Sequence, residues 1–519
     1  PGALTLNGRG LIDSCGAAAT DIVNISAAVL GTNITLTANN PNAATAGYTR
    51  LVNTTNDFDT LTVTRGTLAA DSRLPADAAL VLGGGSLLFT SSGTFTNALQ
   101  FADDARISVA QTFAAGISAT LTSAFNLTKS GNGTLTLSGG ATGRNLLFEN
   151  AGTLRLTGTT PFAFVTSIGS SNATALEVAA PLTLSGTFAL GGSTLTLAEG
   201  GTITAPAIRW CDGGPYTTTA NQSGGRIVVS GSANAVSTSD SVLMTSYPGT
   251  LNYTQSGGEF LATNAVVLMT WQGAAAWTIG GSGRAYVKGV NMRGTNQVGS
   301  STTLALSGGT LEVGGSGVFS TATTSARTIN LSTGTVRAWD DFTVAASAVS
   351  SAVNLKDSAS GVTLDSNGKT ITWSAPLADV GKVVVNDSAT TPGLVRLMAA
   401  GTHTGGTDLR SGTLEAGHAS ALGTGPLRLT GGTLYVGKVD ATAGALTATN
   451  PATLKISLGL LPDLSDSGSL RPASVVFQGD ATNALQVVLD LHGLDSTLAE
   501  YPILLSSSIP ADATNKMTV

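Results

Sequence analysis

Charged and aromatic side chains are scarce in this 519-residue chain, at 11% and 5% of the residues. A globular domain usually carries about a quarter charged residues. The net charge is −6 and lysine and arginine form no cluster, so we expect no nucleic-acid partner. No apolar run is long enough to cross a membrane, so we expect no membrane-spanning segment in these residues. Apolar residues still make up 42% of the chain, which is too many for a disordered tract.

The sequence also lacks the residue spacing that metal and cofactor sites need. It has three histidines, His403, His418 and His492, whose separations match no metal-ligand pattern. We expect His403 and His418 to be exposed at corners of the fold. Calcium-binding loops and a phosphate-binding glycine loop are missing as well. The sequence therefore predicts no metal and no cofactor.

Paired carboxylates suited to hydrolysis are also missing. A glycosidase needs two carboxylates about 5–9.5 Å apart, one on each side of the scissile bond. The adjacent pairs in this chain are Asp103-Asp104 and Asp340-Asp341. Neighbouring residues on a strand point to opposite faces, so such a pair brings only one carboxylate to a shared site. We expect these aspartates to be corner residues, and we predict no catalytic residue and no enzyme.

Glycine, in contrast, is abundant, with 65 residues, and short phrases containing it recur. Gly412-Thr413-Leu414 returns twenty positions later as Gly432-Thr433-Leu434. Apolar residues then take every second position, which predicts strands, and the glycine before each strand predicts a recurring tight corner. Further glycines recur at intervals of nineteen (Gly66 and Gly85, Gly133 and Gly152) and of 25, 26 and 25 (Gly258, Gly283, Gly309 and Gly334). The fold class predicted is all-β, a right-handed parallel β-helix (solenoid) with atypical capping coils at both ends.

Such a stack also explains the scarcity of charge. Each residue of a parallel β-helix lies about 4.8 Å from its counterpart in the next coil. Repeated like charges at that distance repel, whereas threonine, serine and asparagine stack without this penalty.

Two blocks of sequence resemble a known family. The first comprises His403–Thr407, Ser411–Leu414 and Ser420–Gly425, and the second comprises Leu127–Gly139 and Ala151–Leu154. Together they resemble the autotransporter-associated β-strand repeat of very large bacterial surface proteins. The resemblance implies an exported passenger domain at the bacterial cell surface. It implies no catalytic residues, because the repeat of that family is a scaffold.

Changes in spacing divide the chain into five regions. We predict N-terminal capping coils over 1–60, short coils over 61–205, and longer coils with loops over 206–340. Regular coils are expected again over 341–454. Denser apolar runs over 455–519 predict a C-terminal cap or the end of a larger passenger. The N-terminus has neither an initiator methionine nor a signal sequence, so we expect a processed end or a piece of a longer chain.

The longer coils contain most of the large polar-tipped rings. A contact surface for sugars or a protein partner is one interpretation, and filling of a widened interior is the other. The residues concerned are Trp210, Tyr216, Tyr247, Tyr253, Trp271, Trp277 and Tyr286.

The two cysteines, Cys15 and Cys211, are too far apart along a stack for an intrachain disulfide. Eight or nine coils would separate them by roughly 40 Å. Two unpaired thiols are one interpretation, and an intermolecular disulfide between copies is the other.

The sequence thus favours a non-enzymatic structural or adhesive protein, secreted or at a bacterial cell surface. It would be a rigid rod of roughly 100–115 Å or a subunit of a filament or surface layer. Its expected partners are other copies of itself or other surface proteins, with glycans as a further candidate. The alternative is a carbohydrate-binding or carbohydrate-cleaving β-helix that uses the aromatic-rich loops of residues 210–290.

Overall fold

The computed structural model describes most of the chain. The described residues are 4–5, 9–14, 22–38, 48–149, 151–169, 174–211, 214–232, 242–245, 248–293, 300–322, 324, 326–436, 439–448, 452–457, 469–477, 485–490 and 517–518. Cys15, Tyr247 and His492 lie outside these ranges, as does most of the predicted C-terminal region 455–519.

The described structure is almost entirely β-strand. Among the described residues, one short 3₁₀ helix, Ala346–Ala348, is the only helical segment. Neighbouring strands run parallel and pair one coil apart, so that Thr134 faces Thr153 and Thr413 faces Thr433. The prediction of a parallel β-solenoid is confirmed.

The solenoid divides into two compact units. The first comprises Pro1–Gly231 and Thr245–Asn252, and the second comprises Ser232–Met244 and Tyr253–Val519. Each coil in the first unit has up to three strands, and the equivalent strands of successive coils form three faces, numbered one to three in chain order.

The first unit contains these strands. Face one is formed by Arg9–Ser14, Asn33–Ala38, Thr60–Arg65, Ala79–Leu82, Leu99–Phe101, Leu121–Thr122, Pro181–Leu184, Thr202–Ala205 and Arg226–Val229. Face two is formed by Ile22–Ile25, Tyr48–Leu51, Thr67–Ala69, Ser86–Phe89, Ala105–Val109, Leu127–Ser130, Thr187–Leu190 and Ala207–Trp210. Face three is formed by Gly93–Phe95, Ala114–Ile117, Thr134–Leu137, Gly152–Leu156, Thr174–Val178, Thr194–Leu197 and Thr217–Gln222. Ala141–Phe148 and Phe162–Gly169 pass round the corner and belong to faces one and two, and Leu4–Thr5 pairs with Val29–Leu30.

The strands of the second unit also form three faces, which are numbered in the same way within that unit. Glu259–Leu268, Arg284–Asn291 and Thr310–Phe319 span faces one and two. Face one then continues with Thr335–Ala338, Val362–Asp365, Val383–Asn386, Thr407–Leu409, Leu427–Leu429, Asp440–Ala448 and Ser469–Phe477. Face two contains Val242–Leu243, Phe342–Val344, Thr370–Trp373, Leu394–Leu397, Thr413–Ala416, Thr433–Val436, Thr453–Ser457, Leu485–Asp490 and Met517–Thr518. Face three contains Thr250–Gln255, which begins in the first unit, and Ala274–Gly280, Ser301–Ser307, Ala326–Leu331, Val353–Leu355 and Leu377–Ala378.

Alternating burial along the strands defines a dry interior in each unit. In Thr134–Leu137 and Thr433–Val436 the side chains alternate between half-buried and buried. Leu135 stacks on Leu154, which stacks on Leu176, and all three side chains are buried. Each such leucine contributes about 1.5–3 kcal/mol by burial, so the interior columns hold the coils together.

The recurring glycines lie above one another at the corners, as their spacing predicts. The residues that follow them are register partners: Thr67 with Ser86, and Arg284 with Thr310, which in turn pairs with Thr335. These pairs reproduce the sequence intervals of nineteen, 26 and 25 residues. Gly432 adopts φ +70°, in the left-handed region that favours glycine.

Polar side chains form hydrogen-bonded ladders on the outside. In the first unit, Asn126 donates from its amide to Asp104 (2.8 Å), and Asn145 donates to Asn126 (2.8 Å). The hydroxyl of Thr166 donates to Asn145 at 2.5 Å. In the second unit, Asn354 donates to Asn330 at 2.9 Å. Each ladder connects successive coils without placing like charges in register.

Replacing Gly432 by alanine tests the corner. A Cβ there would lie 2.5 Å from the carbonyl oxygen of Gly412 in the preceding coil. We expect Gly432→Ala to lower the free energy of unfolding by about 2 kcal/mol or more, since the left-handed conformation alone costs an alanine about 1–2 kcal/mol. Urea unfolding followed by circular dichroism measures this.

Gly93 is the matched control, because a Cβ on it would meet no atom within 4 Å. Gly93→Ala should change the unfolding free energy by less than about 0.5 kcal/mol. Equal effects of the two substitutions on the unfolding free energy would show that the close approach of the coils is not the reason that the corner needs glycine.

Candidate functional site

Three of the seven rings predicted to form a contact surface are interior residues. The side chains of Trp210, Tyr253 and Trp277 are at most 1% exposed. Tyr253 stacks on Trp277 with ring centroids 5.8 Å apart and planes 5° apart, and Phe260 meets Trp277 edge-on at 5.3 Å. Surface contact was therefore the wrong interpretation for these three, because they occupy inward positions where large coils need large side chains. Burial also raises the pKa of Tyr253 far above its ordinary value.

The remaining described rings of that set are half-buried. Tyr216 and Trp271 lie in corners, and Trp271 packs against a buried apolar cluster that includes Leu268. Tyr286 lies beside Arg284, whose guanidinium carbon is 5.3 Å from the ring centroid. A contact surface formed by Tyr216, Trp271 and Tyr286 stays a prediction.

Cys211 is buried, which contradicts a disulfide through it to another copy. Its thiol donates to the carbonyl oxygen of Thr250 at 3.2 Å. Burial raises the pKa of the thiol and so disfavours the reactive thiolate. The residue has φ +52°, at a corner that follows the strand Ala207–Trp210. The other cysteine of the predicted link, Cys15, lies outside the described residues.

The prediction of an exposed His403 is wrong, although His418 is exposed as expected. The imidazole Nε2 of His403 lies 3.1 Å from the hydroxyl of Thr407, which itself donates to the carbonyl of Leu422. Because the Thr407 hydroxyl hydrogen is used in this second contact, Nε2–H of His403 is the donor in the first. A Cβ on Gly423 would lie 2.6 Å from Nε2, so the next coil closes over the ring only because it has glycine there. Burial lowers the pKa of His403 to about 4.

Sequence reasoning missed a second interior titratable group, Lys129. It pairs in register with Ile107 and Phe148, whose side chains are buried, and is itself 1% exposed. Its ammonium group donates to the carbonyl of Gly131, and burial lowers its pKa to about 8. Gly152 provides the space, since a Cβ there would lie 2.3 Å from the lysine nitrogen. The alternation that begins at Leu127 could have identified Lys129 as an inward position.

A ladder of alternating charges runs along face one of the second unit. Arg284 pairs with Glu312 at 2.9 Å, and Arg337 lies 3.8 Å from Glu312 and 3.3 Å from Asp365. Strand register stacks Glu312 on Arg337 and Arg337 on Asp365, one coil apart each. The side chains of Glu312 and Asp365 are 7% and 9% exposed. Sequence reasoning missed this ladder, although aligning Gly309 with Gly334 would have brought Glu312 and Arg337 into register.

Next to the ladder, a shallow groove of about 430 Å³ opens where face one turns into face two. Its polar lining comes from Ser316, Asp341, Thr343, Thr370 and Thr372, and its remaining lining from Gly315 and the buried Phe342. Thr343 and Thr372 are register partners, so their outward hydroxyls repeat at the coil spacing. One oxygen of Asp341 accepts from the backbone N–H of Thr370 at 2.7 Å and thereby joins two coils.

Two glycines create the space at the edge of this groove. The indole of Trp339 lies on Gly314, where a Cβ would be 2.2 Å from the ring, and its Nε1–H donates to the carbonyl of Val287 at 3.1 Å. The carboxylate of Asp340 lies over Gly315 in the same way. The half-buried indole is therefore fixed beside the groove by contacts with two preceding coils.

The paired aspartates are corner residues, as predicted. Asp340 and Asp341 follow the strand Thr335–Ala338, and Asp340 accepts from the backbone N–H of Asp341 at 2.9 Å. Asp103 and Asp104 lie at the equivalent corner of the first unit. There, Asp104 accepts from the backbone N–H of Asn126 at 3.0 Å in the next coil. The carboxylates of Asp104 and Asp341 therefore connect neighbouring coils.

Comparison with known protein families, with curated proteins and with solved structures finds no match. In the part of the chain that the structure describes, no three histidine, cysteine, aspartate or glutamate side chains converge as metal ligands would. No helix among the described residues has the length and hydropathy to cross a membrane.

Acidification tests the burial of His403. Between pH 6.5 and 4 the unfolded chain takes up a proton that the folded chain does not, so stability is lost as pH falls through this window. A difference between pKa 6.5 and about 4 corresponds to about 3 kcal/mol in unfolding free energy. We expect His403→Gln to remove this part of the pH dependence, measured by urea unfolding at several pH values.

His418→Gln is the matched control, because that histidine is exposed and its ring also contacts a hydroxyl group, that of Ser420. It should keep the pH dependence of the unsubstituted chain. Parallel curves for His403→Gln and the unsubstituted chain would contradict a neutral, buried His403.

Replacing Arg337 tests the charged ladder. Arg337→Met leaves Asp365 without its nearest cation and Glu312 with Arg284 alone. We expect a loss of about 1–3 kcal/mol in unfolding free energy, because both carboxylates are largely shielded from water. In the exposed pair of Arg155 and Glu177, Arg155→Met should cost less than about 1 kcal/mol. Similar losses of unfolding free energy in the two variants would mean that stacking the charges in register adds nothing to stability.

Proposed function

We propose that the chain is a non-enzymatic structural or adhesive protein, secreted or displayed at a bacterial cell surface. The observation that carries this proposal is the continuous parallel stacking of coils in each unit, whose outer surface consists of hydrogen-bonded polar ladders and paired charges. Backbone hydrogen bonds along the stack resist bending and leave the corners free to vary. Such a scaffold presents surfaces rather than a reaction centre.

The resemblance to the autotransporter-associated β-strand repeat supports the cellular setting. Each of the segments that carry it, Leu127–Gly139 and Ser411–Leu414, contains a glycine corner and a strand that pairs with the preceding coil. In this proposal the chain is all or part of an exported passenger. Other copies of the chain or other surface proteins are the proposed partners.

Contacts of the carboxylates favour a scaffold over a glycoside hydrolase. Glu312 and Asp365 are two coils apart and both approach Arg337. A glycoside hydrolase needs room for the scissile bond between its two carboxylates, whereas both of these carboxylates are engaged with the guanidinium of Arg337. Asp341 is held by the backbone of Thr370. These groups stabilise the stack.

Surface labelling and electron microscopy test the proposal. Antibodies against the purified chain should label intact producing cells, and protease added to those cells should remove the label. Negative-stain images of the purified chain should show ordered rods or filaments, because parallel coils add along one axis. Label found only after cell lysis would contradict surface display. Release of reducing ends from polysaccharides, abolished by Asp341→Asn, would contradict a non-enzymatic role.

A further inference from the structure

We propose that the groove beside Trp339 binds a neutral, polyhydroxylated ligand, a segment of an uncharged glycan. The inference is independent of the scaffold role, since a stack of coils needs no ligand. It rests on the shape of the groove, on the hydroxyl groups that repeat along it, and on the charge of its lining.

The floor of the groove presents hydrogen-bonding groups at regular intervals. Thr343 and Thr372 occupy outward positions of face two in consecutive coils, so their hydroxyls lie about 4.8 Å apart. Ser316 adds a third hydroxyl from the coil before them. A hydroxyl both donates and accepts, as the hydroxyls of a sugar do. A glycan lying along the stack can therefore exchange hydrogen bonds with each coil in turn.

Asp341 provides the strong acceptor that a diol favours. One of its oxygens is engaged with the backbone N–H of Thr370, which fixes the orientation of the carboxylate toward the groove wall. A carboxylate has two oxygens and about four lone-pair sites, so it retains acceptor capacity for ligand hydroxyls. Charge-assisted hydrogen bonds of this kind are about twice as strong as neutral ones.

The same carboxylate selects against anionic ligands. Among the described residues that line the groove, Asp341 is the only charged one, and it is negative. A uronic acid, a sulfate or a phosphate would meet like charge with no lysine or arginine among the lining residues to offset it. An apolar peptide has little to bind, because Phe342 beneath the groove is only 4% exposed. A neutral glycan satisfies both conditions.

Trp339 lies close to the groove, two residues before the lining residue Asp341. Its ring is held on Gly314, next to the lining residue Gly315, by the hydrogen bond to Val287. The indole therefore keeps its orientation without a ligand. A preoriented ring loses little side-chain entropy on binding, and its face suits the C–H side of a pyranose. The volume of about 430 Å³ lies within the range of small-molecule sites.

Calorimetric titration of the purified full chain tests the proposal. The probes are maltohexaose, cellohexaose, chitohexaose and mannohexaose, with hexagalacturonate as the anionic comparison. We expect at least one neutral hexasaccharide to bind and hexagalacturonate to bind at least tenfold more weakly. The double variant Thr343→Val/Thr372→Val should weaken the neutral ligand about tenfold or more, because two hydrogen bonds are lost. Asp341→Asn should weaken it as well.

A matched control is available in the first unit. Thr183 and Thr204 are also outward register partners one coil apart, with the same exposed and half-buried pattern as Thr343 and Thr372. Thr183→Val/Thr204→Val should leave binding unchanged. The proposal is overturned if none of the four neutral probes binds, if hexagalacturonate binds more tightly than they do, or if the groove variants bind as the unsubstituted chain does. Equal weakening by the control pair would also overturn it.

Discussion

The distance between coils, about 4.8 Å, is the constraint on which this structure depends. Within the stack, an outward side chain has a neighbour at that distance in the coil above and in the coil below. Its charge and its hydrogen-bonding groups must therefore be compatible with those of its neighbours. Asn126 and Asn145 meet this condition by donating and accepting in turn, and Glu312, Arg337 and Asp365 meet it by alternating in sign. The low charge content of the chain follows from the same condition, because an unmatched like charge would repel along the whole stack.

Glycine meets the same constraint at the corners. The backbone of one coil passes so close to the next that a Cβ on Gly432 or Gly425 would lie within 2.5 Å of a backbone atom. At Gly423 and Gly152 a polar side chain is a close neighbour as well, namely His403 and Lys129. The missing Cβ thus serves two purposes, since it allows coils to stack and it gives interior room to a polar group.

The sequence was sufficient to predict the fold and the register of the coils whose glycines recur at intervals of 19, 25 and 26, since alternation and glycine spacing are local patterns. It could not predict whether rings such as Trp277 are buried or exposed, because an aromatic side chain fits a wide interior as well as a surface. His403 was misjudged for a related reason: its burial depends on Gly423, twenty positions later, which closes over the imidazole. The groove residues were missed because Asp341 and Thr372 come together only across coils.

The groove lies where the corners of successive coils differ in length. Between faces one and two, three residues separate Ala338 from Phe342, and four separate Asp365 from Thr370. In the following coil seven residues separate Asn386 from Leu394. Corners of unequal length do not stack on one another residue by residue as strands of equal length do. A space therefore remains between the corners, while the strands next to them stay in register. A solenoid can therefore acquire a binding site by lengthening one corner, without changing the interior that holds its coils together.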